Sequence, residues 1–398
     1  MGSMFIAILG RQPALGIAEL ERLYGNVTWF SGESAVIDTP RFDFERLGGS
    51  QKAGRIVAEL PRGDWMQASR KIVQFYSSHW QGRTGKLTLG ISSYGFDVSA
   101  REVQKTGLIL KAKLKQSGAS LRLVPNADPA LNTATSHHNK LGLSDNKVEL
   151  LVVRNNNGKI IIAESIGAQN ITAYARRDQE RPKRDAFVGM LPPKLAQIII
   201  NLASEAVEPI SDDGEHKKKT LLDPFCGTGV ILQEAALMGS GVYGTDLSDK
   251  MVDYTTQNLD WLAATHHLNI NRIVEQGDAM KHQWSGTISA VACEGYLGQP
   301  FSAPPSPAKL AEVRNNCNYI MSEFLRNIGR QLTPGTPLCV AVPAWRAIDG
   351  SFTHLPLITQ LDSMGFTSVT LTTVRSSELL YYRDDQVVAR ELLVIIKK

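Results

Sequence analysis

The segment LLDPFCGTGVILQEAALMGSGVYGTDL, residues 221–247, constrains the fold more than any other part of this 398-residue chain. An apolar run ends at Asp223, and a loop with Gly227 and Gly229 follows. A helical pattern then leads to a second apolar run, which ends at Asp246. A strand, a glycine loop, a helix and a second strand in this order commonly hold an adenine-containing cofactor. The segment therefore predicts an α/β sheet with a nucleoside site at its strand ends.

The length of the chain predicts two or three domains, because one hydrophobic core seldom serves so many residues. Hydrophobic residues make up 43% of the chain and charged residues 21%, as in an ordinary soluble globular protein. No apolar run approaches the roughly 18 residues of a membrane span, and no signal peptide is recognisable. We therefore expect no membrane partner. Residues 1–3, Met-Gly-Ser, resemble a cloning remnant.

The four cysteines lie far apart, without the spacing of metal ligands. We expect reduced thiols, no metal and a cytoplasmic location. The net charge of +4 permits a nucleic-acid partner without arguing for one.

The order of predicted strands and helices changes near residues 170–190. Short strands and isolated helices come before it, which predicts α+β architecture, and strands alternate with helices after it, which predicts a parallel sheet. Strands are predicted at 219–223, 241–246, 271–276, 287–293, 336–342, 366–373 and 386–396. The last predicted helix is 352–364, and the turn at 383–385 predicts an antiparallel hairpin between the last two strands. Seven strands with a reversed final hairpin form the Rossmann-like sheet of class I methyltransferases.

The glycine loop differs from that of a dinucleotide-binding site. A dinucleotide site needs a third glycine, where this chain has Leu232, and its loop receives a pyrophosphate. Asp223 just before the loop would repel a pyrophosphate, whereas S-adenosylmethionine has an ammonium group, a sulfonium and no phosphate. The loop therefore predicts S-adenosylmethionine as the cofactor.

Two further acids follow the next two predicted strands. Asp246 is placed to accept hydrogen bonds from the ribose hydroxyls, and Asp278 from the adenine amino group. The candidate cofactor site comprises Asp223, Phe225, Gly227, Gly229, Asp246, Leu247, Asp278 and Ala279.

The fourth strand of an amino-directed methyltransferase usually ends in Asn/Asp-Pro-Pro-Tyr/Phe. Glu294-Gly295-Tyr296 stands at that position here. Glu294 is the candidate acceptor for the target amine, and Tyr296 the candidate stacking ring, so that catalysis is mostly positioning. In the alternative interpretation Glu294 only caps the next helix, and the amine chemistry is altered or lost.

The segment RPKRDAFVGMLPPKLAQIIINLA (181–203), followed by LLDPFCGTGVIL, resembles the THUMP-domain tRNA guanine-N2-methyltransferases, which methylate guanosine 10. The stretches LRLVPN, LNTATSHHNKL and KVELLVV resemble a THUMP module. The resemblance implies a ferredoxin-like domain at 4–65, a THUMP RNA-binding domain at 66–170, a linker at 171–190 and a catalytic domain at 191–398. It also implies that the methyl donor is held by Asp223, Gly227, Gly229, Asp246 and Asp278. The acceptor would be held by Glu294 and Tyr296.

Basic residues cluster in YARRDQERPKRD (174–185), at the junction between the predicted domains. A phosphate backbone that crosses the junction would contact them, although neighbouring acids dilute their charge and such runs are often solvated surface. The candidate RNA-binding residues are Arg176, Arg177, Arg181, Lys183 and Arg184.

The sequence thus predicts a methyltransferase that acts on the exocyclic N2 of a guanosine in tRNA. Two alternatives stay open: an amino-methyltransferase of another substrate class, DNA or protein, and a catalytically weak tRNA-binding protein. The sequence leaves open which RNA, tRNA or another structured RNA, and which nucleotide is modified, whether one or two methyl groups are added, and the oligomeric state.

Overall fold

The computed structural model describes residues 3–185, 191–204 and 219–398. The chain forms two compact units, of which the first comprises Met1–Pro13 and Asn26–Ala173. The second comprises Ala14–Gly25 and Tyr174–Lys398. Helix α1 (Pro13–Tyr24) therefore lies almost wholly in the second unit, although it comes early in the chain.

The first unit contains one eight-stranded sheet with helices packed on it. Its strands are β1 (Ser3–Leu9), β2 (Val27–Ser31), β3 (Ser34–Thr39), β4 (Ser50–Leu60), β5 (Lys86–Tyr94), β6 (Ser120–Leu123), β7 (Lys147–Arg154) and β8 (Ile160–Ala168), and its helices are α2 (Trp65–His79), α3 (Ala100–Gln116) and α4 (Thr133–His138). The strand order is β2-β3-β1-β4-β8-β7-β5-β6. Strand β5 is parallel to both of its neighbours, β6 and β7, and the other neighbouring strands pair antiparallel.

Local sequence signals explain where the two long helices of this unit begin. Asp64 accepts a hydrogen bond from the Gln67 N–H at 2.9 Å, and the Gln67 side chain accepts from the Asp64 N–H at 2.9 Å. Ser99 and Glu102 form the same reciprocal cap at α3. Such capping boxes satisfy backbone donors that the first helical turn leaves free.

A single sheet spans the two domains that were predicted in this half of the chain. Strand β4 lies in the predicted ferredoxin-like range 4–65, and it pairs with β8 in the predicted THUMP range 66–170. The division into these two domains stays a prediction.

The second unit contains the predicted Rossmann-like sheet. Its strands are β9 (Thr220–Asp223), β10 (Gly241–Asp246), β11 (Arg272–Gln276), β12 (Ala290–Glu294), β13 (Pro337–Arg346), β14 (Phe352–Thr353), β15 (Phe366–Ser368), β16 (Leu380–Tyr381) and β17 (Val388–Lys397). The main order is β11-β10-β9-β12-β13-β17-β15, with β14 on β13 and β16 on β17. Strands β9 to β13 are parallel, and β17 is antiparallel to β13. The seven predicted strands and the reversed last strand are confirmed.

The remaining helices are α5 (Ile171–Gln179), α6 (Pro193–Leu202), α7 (Val230–Leu237), α8 (Asp249–His266) and α9 (Pro307–Gly329). Helix α5 crosses the boundary between the units and lies in the predicted linker 171–190. Helix α9 buries Cys317, Met321, Phe324 and Leu325 in a core shared with the sheet strands, because its apolar residues recur at helical spacing.

Two predictions near the end of the chain are wrong. Residues 352–364 form β14 and two short 3-10 turns, Pro356–Gln360 and Asp362–Met364, rather than a helix. Gly365 ends this segment in the left-handed conformation, with φ 85°. The hairpin around residues 383–385 joins β16 to β17, since β15 already ends at Ser368.

Polar side chains of helix α1 form hydrogen bonds to the rest of the second unit. The Glu21 carboxylate accepts hydrogen bonds from the Thr372 and Thr373 N–H groups, at 2.6 and 2.9 Å, and from both threonine hydroxyls. Asn201 on α6 donates to Glu19 at 2.7 Å. The second unit therefore includes a segment that comes early in the sequence.

No helix within the described residues is both long and apolar enough to cross a membrane.

Candidate active site

The loop after β9 turns sharply into α7. Gly227 and Gly229 have φ of 52° and 79°, a left-handed conformation that glycine adopts without strain. A Cβ on Gly229 would lie 2.9 Å from Thr255 Cγ2, so this glycine also allows close packing on α8. The Gly227 N–H donates to Asp246 Oδ2 at 2.9 Å, which ties the loop to the end of β10.

Three aspartates stand at or just beyond the ends of three neighbouring strands. Asp223 ends β9, Asp246 ends β10, and Asp278 follows β11. The Asp246 Oδ1 accepts from the Ser248 N–H at 2.9 Å, and Asp278 Oδ1 from the Met280 N–H at 3.0 Å. These backbone bonds fix both carboxylates and leave lone pairs for a ligand, since a carboxylate has about four acceptor positions.

Asp223 is the most deeply buried of the three, with 2% of its surface exposed. Burial raises the pKa of Asp223 well above its usual range. The Phe225 N–H, 3.1 Å from Oδ1, lowers this pKa, and the carboxylates of Asp246 and Glu294 raise it further. A cation bound beside Asp223 would relieve this repulsion, so the site is suited to a positively charged ligand.

One cavity of about 480 Å³ joins these acids to the predicted acceptor residues. Its volume is that of a small-molecule site. The predicted site residues that line it are Asp223, Phe225, Gly227, Asp246, Leu247, Asp278, Ala279, Glu294 and Tyr296. Gly229 does not line it and acts through the loop conformation instead. The apolar Met280 and Ile320, which the sequence did not single out, also line it.

Glu294 ends β12 and is held by an arginine from the far side of β13. The Arg390 Nε on β17 donates to Glu294 Oε1. The side chains are 11% and 15% exposed, respectively. The Arg390 guanidinium lies 6.0 Å from the centroid of the Tyr381 ring. Sequence reasoning missed Arg390, although a charged residue inside an apolar strand was an available signal.

Gly295 explains why the two prolines of the usual acceptor motif are absent. Its N–H donates to the Ala341 carbonyl at 2.9 Å, which a proline could not do. A Cβ at this position would lie 2.5 Å from Met321 Cε. Glycine at position 295 therefore fits the close packing on β13 and α9. Tyr296 follows it with 41% of its surface exposed.

The five candidate RNA-binding residues do not share one surface. Arg177 donates to Glu234 Oε1 and Oε2 at 2.7 and 3.2 Å, and the Glu234 side chain is 1% exposed. Arg181 is buried too, and its guanidinium nitrogens have no hydrogen-bond partner among the described residues. Burial and these contacts argue against a phosphate contact by Arg177 or Arg181, and RNA binding by the five residues stays a prediction.

The other three basic residues reach solvent to different degrees. Arg176 and Arg184 are exposed, and Arg176 lies 3.5 Å from Glu180. Lys183 is half-buried, with its ammonium group 5.2 Å from the centroid of the Tyr254 ring.

The described residues contain no group of three or more His, Cys, Asp or Glu side chains that would hold a metal ion. All four cysteines are buried and unpaired. Burial raises the pKa of the Cys226 and Cys293 thiols well above their usual range, so both remain neutral packing groups.

Known proteins resemble both the sequence and the fold. A family model described as "Methyltransferase domain" matches residues 215–368. A tRNA (guanine(10)-N2)-dimethyltransferase of Methanothermobacter thermautotrophicus is 30% identical over 168 residues, which cover 42% of this chain and 43% of the relative. A probable tRNA (guanine(10)-N2)-dimethyltransferase of Methanothermococcus thermolithotrophicus is 39% identical over 132 residues, which cover 33% of this chain and 74% of the relative.

A solved structure has a similar fold along the whole chain. TrmN from Thermus thermophilus superposes with a TM-score of 0.51 at 17% identity, covering 99% of this chain and 100% of that one. The matched sequence spans less than half of the first curated relatives, 43% of the Methanothermobacter protein and 30% of one from Pyrococcus abyssi.

The strand order and the acidic cavity at the strand ends define a Rossmann-like class I methyltransferase domain, the class of enzyme that uses S-adenosylmethionine. The resemblance found in the sequence is confirmed by the curated relatives. The chain belongs to the tRNA (guanine(10)-N2)-dimethyltransferase family.

Proposed function

We propose that this protein transfers a methyl group from S-adenosylmethionine to the exocyclic N2 of a guanosine in tRNA. The observation that carries the proposal is the meeting of Asp223, Asp246 and Asp278 with Glu294 and Tyr296 in one cavity. The named activity of the curated relatives supports the same substrate class.

The acids of the cavity suit the methyl donor. Asp223 would hold its ammonium group, Asp246 its ribose hydroxyls and Asp278 its adenine amino group, because each ligand group is a hydrogen-bond donor. The carboxylates of Asp246 and Glu294 near the buried Asp223 also support a cationic ligand. S-Adenosylmethionine supplies an electrophilic methyl group on a positively charged sulfur.

Glu294 and Tyr296 are the proposed acceptor residues. Glu294 would accept a hydrogen bond from the exocyclic amine, and the exposed Tyr296 ring would stack on the guanine. Together they would aim the nitrogen lone pair into the cavity. Holding two reactants in line is a large source of rate enhancement, so these residues need no covalent chemistry.

The RNA would also need a basic surface. Arg176 and Arg184 are exposed and suit phosphate contacts, with Lys183 beside them, whereas Arg177 and Arg181 support the fold underneath. A cytoplasmic location, where tRNA is available, completes the proposal and is supported by the four free, unpaired cysteines.

The test is transfer of a labelled methyl group to unmodified tRNA, with the product nucleoside identified by mass spectrometry. We expect N2-methylated guanosine, with one or two methyl groups. Parallel reactions with duplex DNA and with a protein mixture cover the other substrate classes. Label only in DNA or protein, or in another tRNA nucleoside, would refute the proposal.

The same assay separates the enzyme from a weak tRNA-binding protein. Glu294→Gln keeps the size of the side chain and should lower kcat strongly, to a slow but measurable rate, while tRNA binding persists. A wild-type protein that binds tRNA and S-adenosylmethionine but never transfers the methyl group would favour the binding role.

A further inference from the structure

We propose that Arg390 is a positioning residue, which fixes the Glu294 carboxylate so that its free oxygen accepts a hydrogen bond from the target amine. The inference rests on the proposed function and adds to it a residue on the last strand of the sheet. Arg390 touches neither the amine nor the methyl donor and acts only through Glu294.

The sheet brings the two side chains together across a third strand. Strand β13 lies between β12 and β17, and Ala341 on β13 is the register partner of both Glu294 and Leu392. Arg390 lies two residues before Leu392 on β17, so its side chain is on the same face of the sheet. The small side chain of Ala341 leaves that face open for the arginine to cross.

Burial strengthens the attraction between Arg390 and Glu294, and the shape of the guanidinium fixes its direction. With side-chain exposures of 11% and 15%, solvent screens the two charges poorly. A guanidinium presents donors in a fixed planar fork and stays charged at every physiological pH. Tyr381, the register partner of Arg390 on β16, lies near the guanidinium and restricts it further.

The second oxygen of the Glu294 carboxylate can only accept a hydrogen bond, so its partner must be a donor. Glu294 lines the cavity, and its other oxygen, Oε1, is already engaged by Arg390. A fixed anionic acceptor selects an N–H group such as a guanine amine over a carbonyl oxygen.

The methyl transfer also releases one proton. In the transfer, the nitrogen–methyl bond forms as the sulfur–methyl bond breaks, and the electron pair of the broken bond goes to sulfur. The methylated nitrogen must lose one proton. We assign that proton to water, so the role of Glu294 is to orient the amine.

A double-mutant cycle in methyl transfer to tRNA tests the inference. The variants are Arg390→Gln, Glu294→Gln and the double change, with kcat, KM for tRNA and the Kd of S-adenosylmethionine measured for each. Arg390→Gln should lower kcat about 10²-fold, the usual cost of a misplaced reacting group, with the cofactor Kd unchanged. In the Glu294→Gln background it should have no further effect, because its only route to the amine is gone.

Two further variants separate positioning from simple support of the fold. Arg390→Lys keeps the charge and should recover part of kcat, whereas Lys397→Gln removes a cation from the far end of β17 and should match the wild type. Additive losses in the cycle, or a wild-type kcat in Arg390→Gln, would overturn the inference. If Arg390→Gln does not fold, the cycle is run with Arg390→Lys and decided in the same way.

A crystallographic measurement keeps this inference distinct from the proposed function, since it needs no turnover. Glu294 should have one side-chain conformation in the wild type and a displaced or multiple one in Arg390→Gln. An unchanged Glu294 in that variant refutes the positioning role even if tRNA is methylated. A wild type that shows no transfer refutes the proposed function, and the crystals then still decide whether Arg390 fixes Glu294.

Discussion

Replacing Asp223 by Asn should weaken cofactor binding and, at the same time, stabilise the ligand-free protein. Asn keeps the shape of the side chain and removes the charge that we assign to the ammonium group of S-adenosylmethionine. A hydrogen bond to a charged partner contributes about 1.5–3 kcal/mol. Because about 1.4 kcal/mol changes an equilibrium tenfold, the Kd should rise roughly 10- to 100-fold.

The opposite effect on stability follows from the raised pKa of Asp223. Burial is its main cause, with the nearby Asp246 and Glu294 carboxylates adding to it. Below about pH 3.9 the group is protonated in both the folded and the unfolded chain, so it has no effect. As pH rises above that value the unfolded chain loses the proton first, and the folded protein is progressively penalised. Asp223→Asn lacks this penalty, so its Tm should exceed that of the wild type at neutral pH.

The pH dependence of binding has the same origin. Wild-type affinity for S-adenosylmethionine should rise with pH as Asp223 ionises, whereas the affinity of Asp223→Asn should lack that component. Calorimetric titration gives the Kd, and differential scanning calorimetry of the ligand-free protein gives the Tm. The exposed Asp253→Asn on α8 is the matched control and should change neither. If Asp223→Asn kept the wild-type Kd, or lowered the Tm, the assignment of Asp223 to the ammonium group would fail.

Three further changes probe the surroundings of the site. Gly295→Ala places a Cβ 2.5 Å from Met321 Cε and should cost about 1–3 kcal/mol of stability, measured by chemical denaturation; an unchanged stability would mean that the turn has room. Arg177→Gln removes the ion pair of the buried Glu234 and should cost about 3 kcal/mol, whereas Arg176→Gln at an exposed position should keep stability. Arg176→Gln and Arg184→Gln should each reduce the salt slope of tRNA binding by about one. A stable Arg177→Gln with weakened RNA binding would instead indicate that Arg177 contacts a phosphate. Glu21→Gln should destabilise α1 and lower the Tm. Partial burial raises the pKa of Glu21, but the hydrogen bonds from Thr373 and Thr372 lower this pKa overall. The higher Tm of the wild type should therefore disappear as pH falls through the lowered pKa.

The site residues that stand next to a strand end in the sequence could be predicted from the sequence. Each acid ends a predicted strand or follows it within two residues, so the strand pattern alone places Asp223, Asp246 and Asp278 at one edge of a parallel sheet. Glu294 and Tyr296 were found in the same way, because they follow the fourth strand. The alternation of strands and helices predicted the parallel direction of the catalytic strands, since a crossover helix returns the chain to the same edge.

Contacts between residues far apart along the chain could not be predicted from the sequence pattern. Arg390 and Glu294 are far apart along the chain and meet only because β13 lies between their strands. The carboxylate of Glu21 meets Thr372 and Thr373 in a similar manner. The burial of Arg177 and Arg181 was not evident from the sequence, because a run of charges does not reveal which of its members turn inward.

The most direct measurement is a calorimetric comparison of S-adenosylmethionine with a nicotinamide dinucleotide on the wild-type protein. Acids at three strand ends should favour the cationic, phosphate-free nucleoside and reject a pyrophosphate. We expect saturable binding of S-adenosylmethionine and no heat from the dinucleotide. Binding of the dinucleotide, or no binding of S-adenosylmethionine, would contradict it.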